Sequence, residues 1–382
     1  MKYLYVLFLS ILMSSALAQK SLSTQSRVSL VTIAPGTELY SYFGHTLIRV
    51  YDPATGLDRA YSYGTFDFQT ENFYWKFLKG TLPYSLSYNN MSDVLNYYSQ
   101  YENRTLREQV LALNDAQRNQ IFQALEKNYL PENRYYQYKF FYDNCATRIR
   151  DIFEQAAPGA YPWDKMTRLE GLSYRDWMNR YLPATAWVTF GMNMALGLPS
   201  DVTTDASQSC YLPDNLEIAT AQAGLNNQKL VEASLTLFEA QAIVEEGFDP
   251  FGPLPVLLTL SLVLFVLSSR FSHKKGLLYG LDIALFLIYG LFGILIFFLA
   301  TATDHEVMSY NVSCLILWPM HFPLVFWFAK NPSGGFWLKY VRLAFIVGLI
   351  ASIISGYLFY GLFIIALPIL IRLFFLSRFY FK

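Results

Sequence analysis

The chain has 382 residues, long enough for one or two domains, with 53% hydrophobic and 15% charged residues. That balance is too apolar for an ordinary soluble domain and fits a membrane protein. Its 29 basic and 29 acidic residues cancel, so no charge excess points to nucleic acid.

Residues 1–18 read as a signal peptide. Lys2 is the charged start, Tyr3 to Met13 form the apolar stretch, and Ala16-Leu17-Ala18 fits a cleavage site. An exported domain is expected over 19–250. Val28 to Ile33 reads as a strand, broken by Ala34-Pro35-Gly36-Thr37. Gly44 to Tyr51 is a second strand, ended by the turn Asp52-Pro53-Ala54-Thr55-Gly56, and Arg59 to Phe68 is a third. Asn72 to Lys79 and Met91 to Tyr101 look helical, and Thr105 to Leu111 is a further strand.

Asn114 is the expected N-cap of a helix from Asp115 to Tyr129, with Gln117 in the capping-box position. Tyr135 to Phe141 is extended and aromatic. Asp143 or Asn144 then caps a helix through Ala156, which puts Cys145 at a helix N-terminus. The partial positive charge there lowers a thiol pKa. Arg168 to Tyr181 is read as helix, Pro199 to Asp214 as irregular, and Ala219 to Glu245 as linker or helix.

From 251 to 382 the pattern changes to long apolar runs. Five spans are expected, near 254–270, 278–300, 311–329, 338–356 and 359–377, each close to the roughly 20 residues that cross a bilayer. With an exported N-terminal domain, the basic residues Arg270, His273, Lys274, Lys275, Lys330, Lys339, Arg372, Arg378 and Lys382 all fall on the cytoplasmic side.

The chemistry is expected from Cys145 and His45. His45 is the single histidine before the apolar region, so it is the imidazole available there as a base. A thiolate beside an imidazole holds an acyl group as a thioester, given donors for the oxyanion. A bilayer next to that pair points to acyl chemistry on a lipid or a lipid-modified substrate. The competing readings are a buried structural cysteine and a hydrogen-bonded core histidine. The three cysteines make no disulfide framework, and Cys145 and Cys210 are either a pair or free thiols.

A third group should orient His45, and the candidates on the next strand are Ser62 or the pair Tyr61 and Tyr63, with Glu38 as a weaker alternative. Arg148 reads as a salt-bridge partner or as a contact for a lipid phosphate. Asp304 and His305 lie at the outer end of the second span and read as contacts for lipid headgroups or for the exported domain. No metal and no cofactor are expected, because Asp304-His305-Glu306 do not share one helix face.

Three segments carry a resemblance: Phe43-Gly44-His45-Thr46-Leu47-Ile48-Arg49-Val50, Tyr61-Ser62-Tyr63-Gly64-Thr65-Phe66-Asp67-Phe68, and Asp143-Asn144-Cys145-Ala146-Thr147-Arg148-Ile149-Arg150-Asp151. With these the chain resembles the Lnb family of bacterial lipoprotein N-acyltransferases over nearly its whole mature length. The resemblance implies an α+β, permuted papain-like (NlpC/LRAT-like) periplasmic domain. An all-α bundle of about five transmembrane helices would follow, in the bacterial inner membrane.

It implies Cys145 as nucleophile, His45 as base, and Ser62 at the third position, where family members often carry Asn. Asn144 and Tyr63 would support the oxyanion, and Arg148, Asp304 and His305 would bind substrate. Diacylated lipoproteins and membrane phospholipid are the implied partners. A cell-wall cysteine peptidase and a non-catalytic membrane scaffold are the rival readings.

Overall fold

The computed structural model describes residues 21–183, 186–225, 227–241, 249–330, 335–354 and 361–379; the expected signal peptide lies outside them. Internal packing divides the chain into two units that interleave in sequence. The first holds Met1–Phe68, Pro83–Glu170 and Asp205–Gln241, and the second holds Gln69–Leu82, Gly171–Thr204 and Ala242–Lys382.

The first unit is built on one seven-stranded sheet. Its strands are β1 (Arg27–Ile33), β2 (His45–Asp52), β3 (Leu57–Thr65), β4 (Pro83–Asn90), β5 (Leu106–Leu111), β6 (Tyr135–Gln137) and β7 (Val231–Phe238). Their order is β6-β4-β3-β2-β1-β5-β7, and every neighbouring pair is antiparallel.

The inner strand β1 is buried from Val28 to Ile33 because both of its faces are covered. Val28 and Leu30 join Ile48, Tyr61, Phe122, Ile149 and Phe153 in one core. Val31 and Ile33 join Leu47, Ala60, Leu106, Met91 and Val94 in another. The first core packs the helices Asp115–Tyr129, Cys145–Ala156 and Pro213–Gln222, and the second packs the short helix Met91–Asn96.

The Asp115–Tyr129 helix starts where the capping box predicts. Asn114 Oδ1 accepts from the Gln117 amide at 2.9 Å, and Gln117 Oε1 accepts from the Asn114 amide at 3.0 Å.

Three expectations before residue 250 need correction. In the stretch Ala219 to Glu245, expected as linker or helix, the helix ends at Gln222, 242–245 lie outside the described residues, and Val231–Phe238 forms β7, which pairs with β5. Its apolar Val231, Ala233, Leu235 and Leu237 alternate with Glu232, Ser234 and Thr236, the period of a strand. β4 carries the same alternation through Tyr84, Leu86 and Tyr88. The helix expected to Tyr101 ends at Asn96 and widens into a π turn over Tyr97–Tyr101. The helix expected from Arg168 shrinks to Tyr174–Asn179. Gly171 sits before it at φ 89°, and Ser173 caps it by accepting from the Asp176 amide.

The second unit is helical. Pro253–Arg270 and Lys275–Thr301 are long and apolar enough to cross a membrane by length and composition. Gly335–Ile354 and Leu362–Phe379 follow near the fourth and fifth expected spans. The third, expected as one helix over 311–329, is broken into Ser313–Ile316 and His321–Lys330. Pro319 explains the break: it lacks an N–H and forces the preceding residue out of helical geometry.

The broken segment lies against the Lys275–Thr301 helix at two glycines. A Cβ on Gly290 would fall 2.4 Å from the Phe322 nitrogen, and one on Gly293 would fall 2.1 Å from the Leu317 oxygen. Small residues at such crossings let backbones approach where no water drives packing. Deeper in the bundle, Arg372 and Asp282 are both buried and form a bidentate ion pair, and Arg372 also donates to the Ser268 hydroxyl.

Candidate active site

The end of the sheet where β2 begins gathers the expected catalytic residues of the first unit. Gly44 precedes β2 at φ 74°, and a Cβ there would fall 2.8 Å from the Ile33 carbonyl oxygen. Glycine therefore lets the chain turn tightly into His45. His45 is the first residue of β2 and pairs in register with Ile33 of β1. Its ring reaches the neighbouring strand, where Nε2 lies 2.9 Å from Ser62 Oγ of β3.

Cys145 opens its helix, and the turn before it is held by one residue. Asn144 Oδ1 accepts from the Ala146 and Thr147 amides, both at 2.9 Å, and the Asn144 amide donates to Thr147 Oγ1 at 2.8 Å. Asn144 Nδ2 donates to the carbonyls of Phe140 at 2.7 Å and Tyr211 at 2.8 Å. Asn144 is thus a cap and a buried strut, and its side-chain oxygen is committed to the helix amides.

The Cys145 thiol is 6% exposed and free, as is that of Cys210. Burial raises the Cys145 pKa. The Thr46 hydroxyl and amide, and the amides of Ala146 and Cys145, pull it the other way. Thr46 follows His45 directly, so the sulfur meets β2 one residue from the imidazole. Thr46 Oγ1 is buried and has no well-formed hydrogen bond among the described residues, which leaves its hydroxyl available to the sulfur. At Cys210 burial outweighs the charge of Arg150 and the Ser209 hydroxyl and pushes the thiol up to about 12, and it donates to the Ala206 carbonyl.

His45 is held neutral. Burial, and then the charge of Arg104, lower its pKa from 6.5 to about 4. Arg104 is itself buried. It donates to the Ala34 carbonyl at 2.7 Å and to Glu102 at 2.6 Å, and lies over the Tyr98 ring. A neutral imidazole is the form that can accept a proton.

Four further sequence candidates are placed as follows. Tyr63 is buried, and its hydroxyl accepts from Asn128 Nδ2 at 2.6 Å. Arg148 forks onto Asp143 and stacks over Tyr136, 3.6 Å from the ring centre. Asp304 and His305 belong to the second unit, where they contact the helix Phe73–Lys79.

Sequence reasoning missed Thr46, Arg104, Tyr136 and Tyr138. The charge of a Cys145 thiolate would raise the pKa of Tyr136 and Tyr138 further, after burial has raised both. Tyr136 Oη is buried with no partner among the described residues. The extended aromatic run Tyr135 to Phe141, directly ahead of the cysteine, was the available signal. Among the described residues no group of three or more His, Cys, Asp or Glu side chains is placed to hold a metal ion.

Comparison with known families gives two matches. The Lnb N-terminal periplasmic domain matches residues 15–179, and the Lnb transmembrane domain matches residues 244–382. No curated protein and no solved structure matches the chain. The two matched domains lie in the family's order, a periplasmic domain followed by a membrane-spanning one, and together they take in His45, Ser62 and Cys145 as well as every apolar helix from Pro253 onward. The chain belongs to the Lnb family.

Proposed function

We propose that the protein is a lipoprotein N-acyltransferase working through a Cys145 thioester. The observation that carries this reading is the thiol at the first position of a capped helix, set against Thr46 and next in sequence to a neutral His45. Ser62 engages Nε2 of that histidine, which leaves Nδ1 to take the thiol proton. The order of His strand before Cys helix supports a permuted papain-like core. The apolar helices support an inner-membrane enzyme with five crossings, the third of them broken.

In this mechanism His45 removes the Cys145 proton, and the thiolate attacks an ester carbonyl of a phospholipid or of the lipoprotein's own glyceride. The amide of Cys145 and the hydroxyl of Tyr136 stabilise the oxyanion. Collapse breaks the ester C–O bond, and the departing alkoxide takes the proton from His45. The α-amine of the diacylated lipoprotein's N-terminal cysteine then attacks the thioester. The C–S bond breaks, the amine proton passes to His45, and the thiolate recovers it. Thr46 lowers the energy of the thiolate at each stage.

Mass spectrometry of a reporter lipoprotein tests this, in cells carrying wild-type or Cys145→Ala protein. The N-acyl mass is expected with wild type and absent with the variant, and the residual glyceride identifies the donor. An identical lipoprotein in both strains, with the variant folded and abundant, would overturn the reading and favour cell-wall peptides or a scaffold role.

A further inference from the structure

The segment Gln69–Leu82 leaves the sheet after β3 and packs with the membrane helices. Its helix reads Phe73-Tyr74-Trp75-Lys76-Phe77-Leu78-Lys79. Five of these seven residues are aromatic or apolar, which in water would call for burial. Instead Tyr74 is 82% exposed, and Trp75 and Phe77 are each more than half exposed.

The helix is fixed at one level of the second unit by three contacts. The Trp75 ring stacks on Phe298 with centroids 5.8 Å apart, in the last turn of the Lys275–Thr301 span. The Asp304 amide donates to the Lys79 carbonyl at 2.8 Å. His305 Nε2 donates to the Phe77 carbonyl at 3.1 Å, and the His305 ring lies so close to Gly80 that a Cβ there would sit 3.2 Å from it. Phe298 is three residues from the end of the span, about 5 Å at a helical rise of 1.5 Å. The aromatic helix therefore lies at the Thr301 end of a membrane crossing, the end that the sequence reading places outside.

We propose that this segment is an interfacial anchor whose Tyr74, Trp75 and Phe77 insert among the headgroups and upper acyl chains of periplasmic-leaflet phospholipid. Two features select lipid as the occupant. The span on which Trp75 stacks also exposes apolar Leu291, Ile294, Leu295 and Phe297. Lys76 and Lys79 flank the aromatics, with Lys79 Nζ 5.9 Å from the Trp75 ring centre, and their charge suits lipid phosphate. Tyr and Trp concentrate at this depth because they join an apolar body to a polar tip, and a helix with one apolar and one basic face lies in the plane of the interface. Asp304 and His305 act here by holding the anchor. The proposal stands independently of the acyl-transfer reading.

The test uses the full chain in vesicles of phosphatidylethanolamine and phosphatidylglycerol. Spin labels are placed at Tyr74→Cys or Phe77→Cys, with the unmutated protein as the blank for its three buried cysteines. Power saturation compares collisions with oxygen, which partitions into lipid, and with a water-soluble nickel chelate. Oxygen is expected to relax both labels more strongly than the chelate. Chelate access equal to or above that of oxygen would overturn the proposal by putting the helix in water. Low access to both would overturn it by showing that a protein partner covers the helix. Tyr74 makes few contacts, so its replacement leaves the fold intact, and the Phe77 variant repeats the reading independently.

Discussion

Replacing Asn144 with alanine should loosen the whole approach to the nucleophile. The substitution removes an N-cap, worth about 0.5–2 kcal/mol. It also removes two buried bonds to the Phe140 and Tyr211 carbonyls, each worth about 0.5–1.5 kcal/mol net. The expected loss is about 2–4 kcal/mol, against a total stability of about 5–15 kcal/mol for a typical domain. Cys210 provides the reporter, since its thiol is fully buried in the same unit and becomes alkylated only when that unit opens. With a urea slope of about 1–3 kcal/mol per molar, the alkylation midpoint of the full chain in lipid discs should fall by about 1–2 M. Asn144→Asp keeps the cap oxygen and loses both donors, so it should recover about half of the loss. A midpoint shift for Asn144→Ala below about 0.3 M would refute the idea that this side chain ties the helix to its surrounding loops.

Three further outcomes follow from the geometry. His45 has a folded pKa of about 4 against an ordinary value of 6.5, so the unfolded chain binds more protons between those values. Its contribution is complete above pH 6.5 and is lost as pH falls toward 4, by up to roughly 3 kcal/mol at 1.36 kcal/mol per pKa unit. The Cys210 midpoint of wild type minus that of His45→Gln should therefore fall across this window, and parallel curves would count against a buried neutral imidazole. Thr46→Val removes the hydroxyl that favours the thiolate and should slow Cys145 alkylation at pH 8 by roughly 3- to 10-fold; an unchanged rate would dissociate the hydroxyl from the sulfur. Arg372→Ala strands Asp282 inside the helical bundle and should lower stability to detergent unfolding by about 3–5 kcal/mol, whereas the double change Arg372→Leu with Asp282→Leu should restore most of it. Equal losses in the two variants would show that the ion pair does not act as a unit.

Much of the site was legible because it rests on local rules. The capping box at Asn114 and the cap at Asn144 are short-range signals, and each places its helix within a residue. A strand opening at Gly-His beside a strand carrying Ser62 is also local, and the register of β2 with β3 follows from the turn between them. What escaped depends on distant partners. β7 pairs with β5 across more than 120 residues of sequence, and its alternation was masked by acidic and small residues that also suit a helix. Thr46 and Tyr136 matter only because a helix arriving about 100 residues after β2 sets a thiol beside them. Pro319 was visible in the third apolar run, but hydropathy averages over it and reads one span.

The interleaving of the two units has a consequence for biogenesis. The aromatic segment at 73–79 leaves the ribosome more than 200 residues before His305, the residue that pins it. Throughout export it stands without its dock, and its apolar rings are open to any chain nearby. Separations of this size delay native pairing and lengthen the life of aggregation-prone species. A form truncated after Gln241 would keep all seven strands of the sheet and still carry this orphaned segment. Its solubility would depend on the span it never meets.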